Sequence, residues 1–275
     1  MMKKQLIMEK ALELFAIQGF GATTVQQITE YCGISKGAFY LSFKSKDELI
    51  LALIDHFMIQ FTSDIDQIVR NSNEDLLYKF FYATFHSFQK HSDFAKLLIK
   101  EQTQSINKEL FLKVRYYDRL MDETILFMIE RLYGEKINHT KFDLIYCIKG
   151  FMNTYSHLFL YMELPFDLDL LSKSLVEKTN LLAEKSSIPF ITKELIDLFK
   201  QPDKGEVTKE HIGKLLEEKI EEMEDSIEKE SLILLKQNLD EPNFNSAIVK
   251  GLIENIRTHS ECKWISYLLM NFYKL

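Results

Sequence analysis

Helix-breaking residues are scarce in this chain. Its 275 residues include 9 glycines and 4 prolines, and the long stretches between them keep helical periodicity, so the sequence predicts an all-α protein. The 3 cysteines are far apart, and their spacing fits neither a disulfide framework nor a metal site. No apolar run approaches the ~18 residues that a membrane-spanning helix needs.

The N-terminus lacks the pattern of a secretion signal. Its first residues lead directly into an amphipathic helix that carries Glu9 and Glu13, whereas a signal peptide has an uncharged apolar region. We therefore expect a cytoplasmic protein with no membrane partner. The 7 histidines are scattered and form no cluster with cysteine or carboxylate at metal-ligand spacing, so we expect no metal and no cofactor.

Apolar and aromatic residues are plentiful by contrast. The hydrophobic fraction is 46%, with 21 phenylalanines and 10 methionines, which supports a sizeable core. The length predicts two or three domains. The net charge of −7 disfavours nucleic-acid binding at first sight, but residues 1–50 hold six lysines against five acidic residues, a net charge of +1.

The segment Thr23–Leu49 has the pattern of two short helices joined by a tight turn. Thr24 and Gln27 have the spacing of a capping box. Gly33 falls where a left-handed residue ends a helix, and Ser35 can cap the next one. That second helix is short, and lysines 36, 44 and 46 surround it without an acidic residue between positions 35 and 46. Such an arrangement indicates a helix-turn-helix that presents its second helix to DNA.

At these residues the sequence resembles the TetR/AcrR family of bacterial transcription regulators. The matching features are Leu14-Phe15, Gly19-Phe20, Thr23-Thr24-Val25, Ile28, Gly33-Ile34-Ser35-Lys36-Gly37, Phe39-Tyr40 and Phe43-Lys44-Ser45-Lys46-Asp47-Glu48-Leu49. The resemblance covers about the first fifth of the chain. It departs from the family pattern at Ala38, Leu41 and Tyr31-Cys32, which bears on base preference rather than on fold.

The resemblance implies that Tyr40 and Lys46 contact phosphates and that Thr24 both caps its helix and contacts the DNA backbone. From the residues themselves, base-edge contacts are expected from Ser35, Lys36, Gly37 and Ala38, with Gln26 as a further candidate. Lys44 completes the basic patch that phosphates would meet. The alternative is that the helix-turn-helix serves only as a structural head.

Five further helices are expected between residues 72 and 187: 76–90, 93–104, 109–132, 140–162 and one that starts at Asp167 or Asp169 and ends near 185. Their aromatic and methionine side chains fit two interpretations, a packed core or the apolar wall of an effector cavity. The candidate effector-binding residues are Phe81, Phe85, Glu101, Tyr116, Tyr117, Met121, Phe151, Met152 and Tyr155. Glu101 would suit a cationic ligand.

The sequence thus predicts three parts: a helix-turn-helix DNA-binding domain at 1–47, a helical effector-binding and dimerisation domain at 48–187, and a helical C-terminal extension at 188–275 that is atypical of the family. In the family, the last two helices of the second part usually form the dimer interface. The predicted function is a repressor that binds a palindromic double-stranded DNA operator as a homodimer and is released by a hydrophobic or amphipathic small molecule. The alternative is a helical enzyme or partner-binding protein that carries a structural head, although no catalytic motif is present.

Overall fold

The computed structural model describes residues 2–102, 108–161, 166–199, 208–273 and 275, and all the regular structure in these ranges is helical. The chain divides into two compact units, Met1–Gln201 and Pro202–Leu275. The all-α fold predicted from the scarcity of glycine and proline is confirmed. The three-part division with boundaries at 47 and 187 stays a prediction.

The first three helices form the N-terminal head. Helix α1 spans Met2–Ala22 with a kink at Gly19 (φ 85°, ψ 168°), α2 spans Val25–Cys32 and α3 spans Lys36–Ser42. The three pack around apolar side chains that are buried almost completely: Ile7, Ala11, Phe15, Ile28, Phe39 and Phe43. The kink falls on a glycine because a positive φ is accessible to glycine at little cost.

Helix α4, Lys46–Asn71, connects the head to the rest of the unit. Its N-cap Ser45 accepts a hydrogen bond from the Glu48 N–H. The Glu48 carboxylate in turn accepts from the backbone N–H of Lys44 at 2.6 Å, one residue before the position expected for a capping box. Near the head this helix buries Leu49 and Leu53.

The remaining helices of the first unit build its main core. They are α5 (Leu76–Lys90), α6 (Ser92–Gln102), α7 (Lys108–Tyr133), a 3-10 turn (Gly134–Ile137), α8 (Lys141–Tyr161), α9 (Leu168–Lys185) and the short α10 (Lys193–Phe199). Helices α4, α5, α7, α8 and α9 share one core of buried apolar side chains. Helix α9 starts from Asp167, whose side chain accepts from the Leu170 N–H at 3.0 Å, so the first of the two predicted starts is correct.

The second unit contains α11 (Lys209–Glu222), α12 (Ile227–Asp240), α13 (Ser246–Arg257) and α14 (Lys263–Tyr273). Successive helices pack against each other, and α11 also contacts α14. Their inward faces bury aliphatic side chains, among them Ile212, Leu232, Leu235, Ile253, Ile256 and Leu269. Within the described ranges of both units, every helix is too short or too polar to cross a membrane.

Candidate nucleic-acid interface and ligand cavity

Helix α3 is held by one face and leaves the other exposed. Phe39 and Phe43 are buried against the head, whereas Lys36, Gly37 and Tyr40 are exposed and Tyr40 keeps 53% of its surface accessible. Ser35 caps the helix by accepting from the Ala38 N–H at 3.2 Å. A short, capped helix with small and basic residues on its open face has the geometry needed to enter a DNA major groove.

Both ends of α2 have the local structure that the sequence predicts. The Thr24 hydroxyl accepts from the Gln27 N–H at 3.2 Å, and the Gln27 side chain accepts from the Thr24 N–H at 2.8 Å. Gly33 adopts the left-handed conformation (φ 65°, ψ 32°) that ends α2. Gln26 accepts a hydrogen bond from the Lys36 ammonium at 3.3 Å, so these two predicted contact residues lie side by side across the two helices.

Lys46 and Lys44 have different surroundings although both were predicted to contact DNA. The Lys46 ammonium is half-buried and donates to the carbonyl oxygens of Phe20 at 2.7 Å and Thr23 at 2.9 Å. These carbonyls lie at the end of α1, where helix geometry leaves acceptors without partners. Lys44 is exposed. The Lys46 ammonium therefore stabilises the packing of the head through these hydrogen bonds. The exposed Lys44 is expected to act only at the protein surface.

Leu41 is a residue of this surface that the sequence reasoning did not select. It is 90% exposed at the end of α3. The sequence contained the information needed to select it, because a residue two positions after the buried Phe39 points to nearly the opposite side of a helix. A large apolar side chain in this position can contact a thymine methyl group or a sugar.

A cavity of about 560 Å³ lies within the first unit. Helices α4, α5, α6, α7 and α8 each contribute to its wall. The apolar lining consists of Phe57, Met58, Phe61, Phe88, Phe94, Ala95, Val114, Met121, Gly150 and Met152, and the polar lining of Ser87, His91, Tyr117, Asp118, Tyr146, Lys149, Asn153 and Ser156. Its volume and mostly apolar wall are typical of small-molecule sites.

Three of the nine predicted effector residues line this cavity: Tyr117, Met121 and Met152. Phe81 and Phe85 are fully buried in the main core instead, and Phe151 and Tyr155 pack against that core. Tyr116 lies beside Tyr117, with ring centroids 5.1 Å apart, but is not part of the wall. The side chain of Glu101 lies outside the described part of the structure.

The aromatic end of the cavity is formed by α4 and α6. The rings of Phe57 and Phe94 stack with centroids 4.3 Å apart, and the His91 ring lies 5.3 Å from that of Phe57. Burial lowers the pKa of His91, because a cation is poorly solvated in this setting. Its imidazole is therefore neutral at pH 7, and this end of the cavity is apolar and uncharged.

The polar end is formed by α7 and α8. The Lys149 ammonium lies 2.8 Å from Asp118 Oδ1 and 2.6 Å from Asp122 Oδ1. Burial raises the pKa of Asp122 in spite of the nearby ammonium. Burial also disfavours the charged Lys149, but the hydrogen bonds and charges of the two carboxylates outweigh it and raise the pKa of Lys149. The two shifts thus have different causes, burial for Asp122 and the two neighbouring carboxylates for Lys149.

One wall residue connects the cavity to α4. The Tyr117 phenol donates to Asp55 Oδ1 at 2.7 Å, and Lys113 donates to Asp55 Oδ2 at 2.5 Å. Burial, and then the Asp55 carboxylate, raises the pKa of Tyr117, so the phenol keeps its proton and stays a donor. Asp55 belongs to α4 and lies between the head end of that helix and the cavity residues Phe57, Met58 and Phe61.

In the part of the chain that the structure describes, histidine, cysteine and carboxylate side chains form no group of three that could hold an ion. Cys32, Cys147 and Cys262 are free cysteines.

A three-helix head that exposes one face of α3 defines a helix-turn-helix DNA-binding protein, and known sequences agree with this class. The profile described as "Bacterial regulatory proteins, tetR family" matches residues 7–53. The HTH-type transcriptional regulator YerO of Bacillus subtilis is 30% identical over 265 residues, covering 92% of this chain and 89% of YerO. YuxN, an HTH-type transcriptional regulator of the same organism, is 30% identical over 274 residues, covering 94% and 93%. The chain belongs to the TetR family of bacterial transcriptional regulators.

A solved structure agrees in fold with part of the chain. The transcriptional regulator FadR from Bacillus subtilis, determined in complex with stearoyl-CoA, superposes with a TM-score of 0.56 at 18% identity and covers 66% of this chain and 99% of its own. Nearly the whole of FadR is thus matched, while about a third of this chain has no counterpart in it. YerO and YuxN align over more than nine-tenths of the chain, so their similarity extends into the second unit. All three are described as transcriptional regulators.

Proposed function

We propose that this regulator represses transcription by binding a palindromic operator as a homodimer, and that a hydrophobic or amphipathic small molecule in the cavity releases it. It would act on DNA in the cytoplasm. The observation that carries the proposal is that α4 is shared between the DNA-reading head and the cavity wall. The same helix buries Leu49 and Leu53 near the head and contributes Phe57 and Phe61 to the cavity.

The DNA contacts follow from the exposed face of α3. Tyr40, Lys44 and Lys46 are assigned to phosphates, together with Thr24 at the start of α2. Ser35, Lys36, Gly37 and Ala38 are assigned to base edges, with Gln26 beside Lys36. A glycine and an alanine on this face let the helix approach the bases closely, and alanine can contact a thymine methyl group.

The dimer is assigned to α8 and α9. Leu170 and Leu181 of α9 are 65% and 51% exposed. They are eleven residues apart and therefore lie on the same side of the helix, three turns from one another. Exposed leucines on one helical stripe support an interface with a second copy, because a two-fold axis would bring the same stripe of each copy together. Two heads related by such an axis match a palindrome.

The ligand acts through α4. Tyr117 and Phe57 are wall residues that contact α4 or belong to it, so a ligand that displaces them changes the direction of α4 and with it the separation of the two heads. The ligand needs to bind the DNA-incompetent state better, and a hundredfold preference corresponds to about 2.7 kcal/mol of coupling. FadR, which has a similar fold, was determined with stearoyl-CoA, and this supports a long apolar ligand for the cavity.

The proposal is tested with DNA from the region upstream of the protein's own gene. We expect salt-sensitive binding in fluorescence anisotropy, a footprint with two-fold symmetry, and release by an apolar compound that binds the cavity. Tyr40→Ala should weaken binding to all sequences about equally, since phosphate contacts position the protein without reading the bases. Tyr82→Ala is the matched control, because Tyr82 is also an exposed tyrosine but lies on α5. If both variants lose the same DNA affinity, or if neither loses any, α3 is not the helix that contacts DNA.

A further inference from the structure

Helix α4 is held to α7 by polar contacts at two separate places. At the C-terminal end of α4, the Arg131 guanidinium donates to the carbonyl oxygen of Val69 at 2.9 Å. Nearer the head, the Asp55 carboxylate accepts from the Tyr117 phenol at 2.7 Å and from the Lys113 ammonium at 2.5 Å. On each helix the two contact points are fourteen residues apart, from 55 to 69 and from 117 to 131, so the contacts lie about 21 Å from one another.

The surroundings of the two contacts differ. The end of α4 is embedded in the main core, where Ile65 and Val69 are almost completely buried, and Arg131 lies outside the cavity wall. Tyr117, by contrast, lines the cavity and is itself 2% exposed. A molecule in the cavity therefore meets the contact at Asp55 and leaves the contact at Arg131 intact.

The hydrogen bond between Tyr117 and Asp55 has the strength that a release mechanism needs. A phenol has a single hydrogen to donate, so a ligand that accepts this hydrogen, or that displaces the ring, removes the bond to Asp55. A hydrogen bond to a charged acceptor changes an equilibrium constant by roughly 10–150-fold. The hundredfold preference considered for the ligand falls within this range, so the loss of this one bond is sufficient.

We propose that Tyr117 is the positioning residue through which the ligand acts, and that its hydrogen bond to Asp55 holds α4 in the orientation that fits the operator. Ligand binding breaks this bond, and α4 turns about its end at Arg131. Because α4 starts nine residues before Asp55, its start at the head moves about 1.6 times as far as Asp55 does. This rests on the proposed function, since it names the contact through which the ligand of the same cavity acts on α4.

The test uses Tyr117→Phe in the full-length protein, because this change keeps the ring and leaves Asp55 its contact with Lys113. Fluorescence anisotropy measures operator affinity without ligand and with each of two probes, the neutral 1-decanol and stearoyl-CoA, with which FadR was determined. Without ligand, we expect the variant to bind the operator at least about tenfold more weakly than the wild type. With saturating ligand, the two proteins should bind equally, because the substitution and the ligand remove the same hydrogen bond.

Two further variants show whether the effect belongs to this pair of residues. Tyr133→Phe is the matched control, because the Tyr133 phenol of α7 also donates at 2.7 Å to another helix, at Asn180 of α9, but lies outside the cavity wall. It should keep the affinity and the release of the wild type. The double variant of Asp55→Ala and Tyr117→Phe should bind the operator no more weakly than Asp55→Ala alone, since Tyr117 acts through Asp55.

The outcomes separate the inference from the proposed function. If Tyr117→Phe binds the operator as tightly as the wild type, or if the ligand weakens its binding by the wild-type factor, the inference is wrong while the proposed function stands. The signal would then take another route, such as the contact of α6 with α1. If Tyr133→Phe behaves as Tyr117→Phe does, or if the two losses at 55 and 117 add, the inference also fails. If neither probe releases the wild-type protein, both fail.

Discussion

Lys46 offers a sharp test of how the DNA-reading head is held together. Its ammonium donates to the carbonyl oxygens of Phe20 and Thr23 at 2.7 Å and 2.9 Å. Hydrogen bonds from a charged donor contribute about 1.5–3 kcal/mol, and for a half-buried lysine we expect a value around the lower end of that range. We therefore expect Lys46→Met to lower the opening free energy of the head by about 1–2 kcal/mol. Methionine keeps the apolar stem, so the change isolates the ammonium.

The measurement is hydrogen–deuterium exchange of peptides from α1 to α3. A loss of 1–2 kcal/mol accelerates exchange in these peptides by roughly 5–30-fold. Lys44→Met is the matched control, because Lys44 is exposed and its removal should leave exchange unchanged. Both variants should reduce the salt dependence of DNA binding, by about 0.9 in the slope of log K against log salt for each lost phosphate contact.

Each failure of this experiment has a definite meaning. Wild-type exchange in Lys46→Met would show that its contacts to the end of α1 do not stabilise the head. Unchanged salt slopes in both variants would show that the C-terminal end of α3 does not face phosphates. Lys79→Met, a lysine on the exposed side of α5, should change neither quantity.

Five further substitutions, two of them paired with others for comparison, test the remaining parts of the proposal. Leu181→Glu places a charge on the exposed stripe of α9, so we expect a monomer in sedimentation, with wild-type helicity in circular dichroism and greatly weakened operator binding. A stable dimer would exclude this interface. Gly33→Ala should destabilise the head by about 1–2 kcal/mol because φ is +65° there. Gly37→Ala should instead stabilise the head by up to about 1 kcal/mol while changing DNA affinity. If the two variants shift the melting temperature in the same direction, the turn geometry is contradicted. Gly150→Leu should preserve the fold, since nothing lies within 4 Å of an added Cβ. It should weaken the binding of 1-decanol about tenfold, because the leucine side chain occupies the cavity. Gly251→Leu is the control, since its surroundings in the second unit are equally open, and it should leave decanol binding unchanged.

The helices and their ends were largely determined by the sequence itself. The capping box of Thr24 and Gln27, the left-handed Gly33 and the N-cap Ser35 all have the predicted roles. The span predicted for α5, residues 76–90, is the observed one. These features depend on contacts between residues three or four positions apart, so a short window of sequence contains the interacting groups.

The exposed face of the reading helix also follows from sequence periodicity. Phe39 and Phe43 are four residues apart, and their burial directs Tyr40 and Leu41 away from the head. The exposed residues of α3 could therefore be predicted as a group, although the partners of Lys46 could not. Phe20 and Thr23 are more than twenty residues away from it, and local patterns contain no information on such distant acceptors.

The cavity was decided by the tertiary structure. Aromatic density predicted that a cavity could exist, but it did not distinguish Phe81 and Phe85, which fill the core, from Phe57 and Phe94, which line the cavity. All four side chains are equally apolar, and periodicity gives only the face of a helix on which each lies. Whether that face meets another helix or an open space depends on how five helices from distant parts of the chain pack together.

The polar contacts made by residues of the cavity wall depend on the same packing. Asp118 and Lys149 are 31 residues apart, and Asp55 and Tyr117 are 62 residues apart. The sequence by itself determined the helices, their caps and the outward face of α3, because these depend on near neighbours. The tertiary structure decided which carboxylates and ammonium groups meet, because Coulomb interactions and burial depend on distances in space rather than along the chain.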